Sequence, residues 1–269
     1  MYTAGRVVET ILADDLIRGV TSVDDELFVL LDRNDNQVAV YNINDYKLLR
    51  HLHLPELEGD FFNYMTSCRR HRCLYVSHNS SKCTHRFDLS SSAVTKWSVP
   101  YRPYGLSVTP SCNLLVTCGR QTNKLLELSA DSGQCVREIT LQADIKDLWH
   151  AVQLTTGQFV VCHGEGDRNL HRVCLVDDEG KVTRSYDGQS GSDVGELNWP
   201  SHFAVDDDSL FIFVADFYNN RVVLLSPTLE FVRDYSQGLS YPRRLYLHQA
   251  TRRLFVSPNV HRSIDIIQL

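Results

Sequence analysis

A chain of 269 residues with a hydrophobic fraction of 43% can bury roughly three quarters of its unfolded surface, so it can hold a core without staples. The charged fraction is 22% and the formal net charge is −6, which gives no global attraction for nucleic acid or acidic lipid. No apolar run approaches the length that spans a bilayer, so no membrane partner is expected.

The opening MYTAGRVVETILADD lacks a basic n-region and a long apolar h-region, so it does not read as a signal peptide. Within it, residues 6–12 (RVVETIL) have strand composition and no partner of their own. Beyond them, one order of elements recurs: a short, small or polar strand, a turn, an aliphatic strand, a polar loop, a third aliphatic strand and a turn. An anchoring valine of the second strand falls at Val29, Val76, Val116, Val161, Val214 and Val256, in steps of 47, 40, 45, 53 and 42 residues. Such a unit cannot bury its own apolar face, and a period near 45 residues with four strands each is the signature of a propeller blade.

The clearest copy spans residues 200–235. A short first strand (202–205) is followed by the turn cluster Asp206-Asp207-Asp208-Ser209. The run 210–215 is nearly all apolar, as expected for a strand buried on both faces. A polar loop (216–221), a third strand (222–225) and a more polar fourth strand (231–235) complete the unit. The sixth unit supplies strands at 244–248, 254–257 and 263–269, one strand short. Residues 6–12 are expected to supply the missing outer strand and close the ring, which removes exposed sheet edges. The expected fold is therefore all-β: a single six-bladed propeller of four-stranded blades over residues 1–269.

The pattern Val214-Ala215-Asp216, then Asn219-Asn220-Arg221-Val222, preceded by Pro200 and followed by Ser226-Pro227, closely resembles an NHL repeat. Blade three keeps Pro103, Val116 and Asn123-Lys124, and blade six keeps Pro242, Val256 and a shifted His261-Arg262. Blades one, two and four depart further, and Cys118, His163 and Pro258 replace the aspartate in blades three, four and six. No Trp-Asp dipeptide and no Gly-Gly doublet occurs, so WD and kelch propellers fit worse.

In a blade, the loop between strands two and three shares a face with the entry into the next blade; that face is called the top here. Blade-entry residues Arg18, Tyr64, Tyr104, Trp149, His150, His202, Arg243 and Arg244 should rim the top of the channel, with Arg120, Arg168 and Tyr218 in the neighbouring loops. A channel mouth is concave and rigidly framed, and aromatic and arginine side chains anchor interfaces. In NHL proteins with RING, B-box and coiled-coil modules (TRIM-NHL), the resemblance implies a top face that recognises protein substrates of a ubiquitin ligase, or in some members single-stranded RNA. The RNA mode needs a basic groove with stacking platforms. Asp32, Asp35, Glu165, Asp167 and Asp216 map to the same face, so the field there is mixed. Arg221 is expected to tie its own loop to Asp216.

Other signals are weaker. Arg69-Arg70-His71-Arg72 is the densest basic run, but it falls in a bottom-face turn, as does the segment 249–253. The glycine-bearing segments 163–167 and 188–196 lengthen blade four and the approach to blade five, making that sector the variable edge. The eight cysteines lie between Cys68 and Cys174 without a CxxC pair or ligand-like spacing, and are expected as reduced, mostly buried thiols; Cys68 and Cys73 flank one turn. Asn79-Ser80-Ser81 matches a glycosylation sequon. No P-loop, G-x-G-x-x-G or G-x-S-x-G occurs.

Amidating lyases resemble NHL propellers and hold zinc with three histidines. His150 and His202 share a register here and His163 lies in a top loop, but no third imidazole is evident at that register. The reading is a cytoplasmic, non-catalytic recognition module with no metal and no small-molecule cofactor. A protein partner is expected, single-stranded RNA is the alternative, and zinc-lyase chemistry is the remote one.

Overall fold

The second strand of every blade is apolar on both sides of its pleat, and this dictates the architecture. Phe28 and Leu30 pack toward blade two with Leu74, Val76 and Phe87, while Leu27, Val29 and Leu31 pack toward blade six with Phe255, Ile264 and Ile266. A strand in that position has no solvent face, so its sequence reads as a continuous run and not as an alternation.

The computed structural model describes residues 5–32, 37–54, 64–119, 122–164, 170–188, 190–193 and 195–269. Its strands form six antiparallel four-stranded sheets in a ring. Blade one holds β2 (Ile17–Val23), β3 (Glu26–Leu31), β4 (Gln37–Asn42) and β5 (Leu48–His53). Blade two holds β6 (Met65–Cys68), β7 (Cys73–His78), β8 (Cys83–Asp88) and β9 (Val94–Ser98). Blade three holds β10 (Pro103–Val108), β11 (Leu114–Cys118), β12 (Lys124–Leu128) and β13 (Cys135–Thr140). Blade four holds β14 (Leu148–Gln153), β15 (Phe159–His163), β16 (His171–Val176) and β17 (Val182–Gly188). Blade five holds β18 (Pro200–Val205), β19 (Ile212–Asp216), β20 (Arg221–Leu225) and β21 (Phe231–Gln237). Blade six holds β22 (Pro242–His248), β23 (Arg253–Pro258) and β24 (Ser263–Gln268), and β1 (Val7–Leu12) pairs antiparallel with β24 as its outer strand.

The anchor valines occupy one register. Val29, Val76, Val116, Val161, Val214 and Val256 lie opposite Val20, Met65, Leu106, Ala151, Phe203 and Leu245 of the first strands. The boundaries expected for blade five shift slightly. Leu210 falls in the turn with φ 57°, and Asp216 and Arg221 are not loop residues: they are the paired ends of β19 and β20. The ladder runs one pair further than the polarity of the segment suggests, because the two side chains neutralise each other.

The inner strands of neighbouring blades approach closely side by side. A Cβ on Gly19 would lie 2.7 Å from Met65 Cβ, and one on Gly105 would lie 2.4 Å from the Trp149 carbonyl oxygen, so glycine there lets neighbouring blades close the ring. All eight cysteines are thiols; Cys68 and Cys73 face each other across β6 and β7 without a disulfide, and Cys135 is exposed. Asn79 is buried and donates its side-chain amide to Pro103 O at 3.2 Å, so the sequon is not presented on the surface. Among the described residues, no helix is long and apolar enough to cross a membrane.

Candidate functional site

The first strands carry a bulge near their top ends in blades one, three, four, five and six, between Ile17 and Gly19, Pro103 and Leu106, Leu148 and His150, Pro200 and His202, and Pro242 and Arg244. A bulge re-aims side chains. It sends His150, His202 and Arg244 into the channel, where they meet Tyr64. The Arg244 guanidinium lies 3.7 Å above the Tyr64 ring. Tyr64 stacks with His202 at 6.4 Å, and His202 stacks on His150 at 3.8 Å with 17° between the rings.

These residues therefore pack on one another within the channel. Below them a cavity of about 740 Å³ is framed by all six first strands and reaches the turns on the opposite, bottom face, including Asp24, Arg69 and Asp207. Of the residues expected at the rim, Tyr64, His150 and Arg244 are buried at this register and His202 is half-buried.

The layer is electrostatically dry. Burial pushes His150 down to about 3 and His202 well below its ordinary value, with Arg244 adding repulsion in each case and His150 adding it for His202. Both rings are neutral: His150 Nε2–H donates to Leu106 O at 3.3 Å, and Leu245 N–H donates to His202 Nδ1 at 3.4 Å. Burial takes Arg244 down to about 9, still cationic at neutral pH. Its Nε–H and Nη1–H donate to the carbonyls of Arg18 and Arg243.

Stacked parallel rings do not converge on one ion. His163 points elsewhere, accepting from Arg172 Nε–H at 3.2 Å. The three histidines weighed for zinc are thus not assembled as a ligand set.

The remaining expected contact residues divide by exposure. Arg18 is half-buried and ion-paired with Asp32, and Arg243 is half-buried and donates to Asn259 Oδ1. Tyr104 is buried edge-on against Trp149 at 5.7 Å, and the buried Trp149 Nε1–H donates to Gly164 O at 3.2 Å. These four are framework of the top face. Arg120 and Arg168 lie outside the described residues, as do Asp35, Glu165 and Asp167. Tyr218 alone of the described set is strongly exposed, at 50%.

Tyr218 sits on an aromatic ledge whose other members were not anticipated. Trp199 contacts Trp149, Phe217 and Tyr218 at ring distances of 5.2, 4.8 and 5.2 Å. Phe217 contacts Tyr241 at 5.3 Å, and Tyr241 is 38% exposed. Trp199 and Tyr241 occupy equivalent positions, each just before the proline that opens an inner strand. Both hold left-handed backbone, φ 62° and 50°, which non-glycine residues seldom adopt. Hydrogen bonds fix them there: Trp199 N–H donates to His171 Nδ1 (3.1 Å) and Tyr241 N–H to Asn220 Oδ1 (2.8 Å). Phe217 N–H and Asn259 N–H donate to the two carbonyls. The aromatic-proline dipeptides Trp199-Pro200 and Tyr241-Pro242 were the available sequence signal.

The ledge rests on a buried ion pair. Asp216 accepts from Asn198 N–H (2.6 Å), Asn219 Nδ2 (2.8 Å) and Arg221 Nε (2.8 Å). Arg221 also donates to Glu196 O at 2.9 Å, pinning the segment that approaches blade five. As expected, Arg221 serves its own loop. The bottom-face basic turn is likewise occupied: Arg69 and Arg72 both pair with Asp24 of blade one, and Arg252 pairs with the buried Asp206.

No family model matches the chain, and no curated protein matches it. Among solved structures it is similar to virginiamycin B lyase from Staphylococcus aureus (12% identity, TM-score 0.64, covering 97% of this chain and 88% of that one). It is also similar to the Cps50 (Swd1) β-propeller domain of Myceliophthora thermophila (12%, 0.68, covering 98% and 99%). A third match is hydrazine synthase of Kuenenia stuttgartiensis (13%, 0.68, covering 100% and 99%). At such identities the likeness establishes the propeller fold alone.

Proposed function

We propose that this propeller is a non-catalytic recognition module that binds a protein partner across the top of blades five and six. The observation that carries the reading is the ledge on which exposed Tyr218 and Tyr241 are backed by half-buried Trp199, with the backbone held by hydrogen bonds. Rigid aromatics on a fixed frame anchor protein interfaces at low entropic cost. The likeness of blade five to NHL repeats adds a context, substrate recognition within a ubiquitin ligase.

The RNA reading is less well supported, because the arginines it requires are engaged inside the fold. Arg18 pairs with Asp32, Arg221 with Asp216, and Arg244 is buried against Tyr64. The lyase among the structural neighbours shares the ring at 12% identity and lends this chain no activity.

Peptides selected by display against the wild-type chain test the proposal. Tyr218→Ala with Tyr241→Ala should weaken their binding by about tenfold or more while leaving the melting temperature unchanged. Binding that survives the double variant would overturn it. Retention of oligouridine with a steep salt dependence, lost in the same variant, would replace the protein reading with the RNA one.

A further inference from the structure

We propose that His78, Cys83 and His85 form a zinc site at the top of blade two. His78 ends β7 and lies directly opposite Cys83, the first residue of β8, with His85 two residues on. Opposite residues share a face of the sheet, and so do residues two apart. The hairpin therefore gathers all three side chains on one side, the side that faces blade one, since Val76 opposite His85 packs with Phe28, Leu30 and Val38. All three are buried: His78 is 6%, Cys83 0% and His85 3% exposed.

Their ligating atoms lie within 4.8 Å of one another, and Cys83 Sγ is 3.4 Å from His85 Nε2. Tetrahedral zinc, with Zn–N near 2.1 Å and Zn–S near 2.3 Å, separates its ligand atoms by about 3.4–3.6 Å. The Cys83–His85 pair already has that spacing, and a rotamer adjustment of His78 closes the rest. Ser81 Oγ lies 3.4 Å from His78 Nε2, so a hydroxyl borders the fourth position. Two imidazoles and a thiolate are a donor set that zinc accepts without a demand on geometry.

Other thiol–imidazole contacts differ. Cys68 meets His71 at 3.6 Å as a pair at a part-buried turn, and Cys174 meets His163 at 3.8 Å where Arg172 already donates to that imidazole. Among the described residues, only the blade-two cluster brings three such donors together. A bound ion would release the Cys83 thiol proton and cross-link β7 to β8 around the turn of Asn79 and Lys82, which is already tied to blade three through Pro103.

The test uses the purified full chain, stripped with a chelator, desalted and titrated with zinc chloride alone. The expected result is one zinc bound per chain, with a rise in melting temperature of about 5 °C or more at saturating metal. Cobalt substitution should show thiolate-to-metal charge transfer. Cys83→Ala, His78→Gln and His85→Gln should each lose the tight equivalent, and Cys135→Ser should keep it. If Cys83→Ala does not fold, His78→Gln at the strand end decides, its fold checked by circular dichroism. No tight zinc equivalent in the titration of the stripped wild-type chain, or a tight equivalent that persists in folded His78→Gln, overturns the proposal.

Discussion

The Asp216–Arg221 pair offers the sharpest test of how blade five supports its ledge. Asp216 is fully buried, and burial raises its pKa above the ordinary carboxylate value despite the Asn198 N–H, the Asn219 amide and the Arg221 guanidinium, each of which lowers it. Desolvation thus outweighs the attractions, and the ionised pair as a whole contributes little net stability. Breaking it is another matter. Asp216→Ala removes the acceptor for three donors and leaves Arg221, 8% exposed, with Asp234 at 3.3 Å as its remaining carboxylate. The expected loss is about 3–5 kcal/mol. Arg221→Met should cost less, because a stranded carboxyl can shed its buried charge by taking up a proton, whereas a stranded guanidinium stays charged. Asp216→Ala with Arg221→Met should cost less than the sum of the two, with a coupling of about 2–3 kcal/mol. Guanidinium unfolding of the four chains measures all three terms. Additivity within about 0.5 kcal/mol, or an Asp216→Ala loss below about 1 kcal/mol, would refute the account.

Two other expectations follow from burial and from closure. Burial holds His150 near 3, His163 near 4 and His202 well below its ordinary value, so between those values and about 6.5 these three imidazoles bind protons in the unfolded chain that they refuse in the folded one, and burial shifts His248 in the same direction. Their stabilisation is complete above pH 6.5 and is lost as pH falls, at a slope approaching about 4 kcal/mol per pH unit for the three together. Asp216, with its raised pKa, acts in the opposite sense but is one group against three, so urea midpoints should fall from pH 7.5 to 5.5; a flat profile there would contradict the burial of these histidines. Deleting residues 1–12 should uncover β24 and the Ile11 contact in the blade six–one core, lowering the melting temperature and producing concentration-dependent association by light scattering. A monomeric truncation of unchanged stability would show that ring closure does not depend on β1.

The ring was legible because each second strand must be buried on both faces, once against each neighbouring blade, and that requirement leaves a run of aliphatics that survives divergence. The face on which each loop lies followed from strand parity alone. What parity does not encode is whether a residue at a blade entry points outward or inward. A one-residue bulge decides it, and the bulge turns His150, His202 and Arg244 into the channel. Arginine at a rim reads as a surface group until its neighbours are known; Arg244 is buried because two backbone carbonyls and the Tyr64 ring replace its water. The same blindness hid the ledge and the blade-two cluster. Trp199 and Tyr241 are brought together by blades adjacent in space, and His78 and Cys83 by a hairpin register that makes them opposite although four residues intervene. In a fold whose blades repeat, the repeat explains the frame, and the side chains that distinguish one blade from another acquire chemistry only through the neighbour they face.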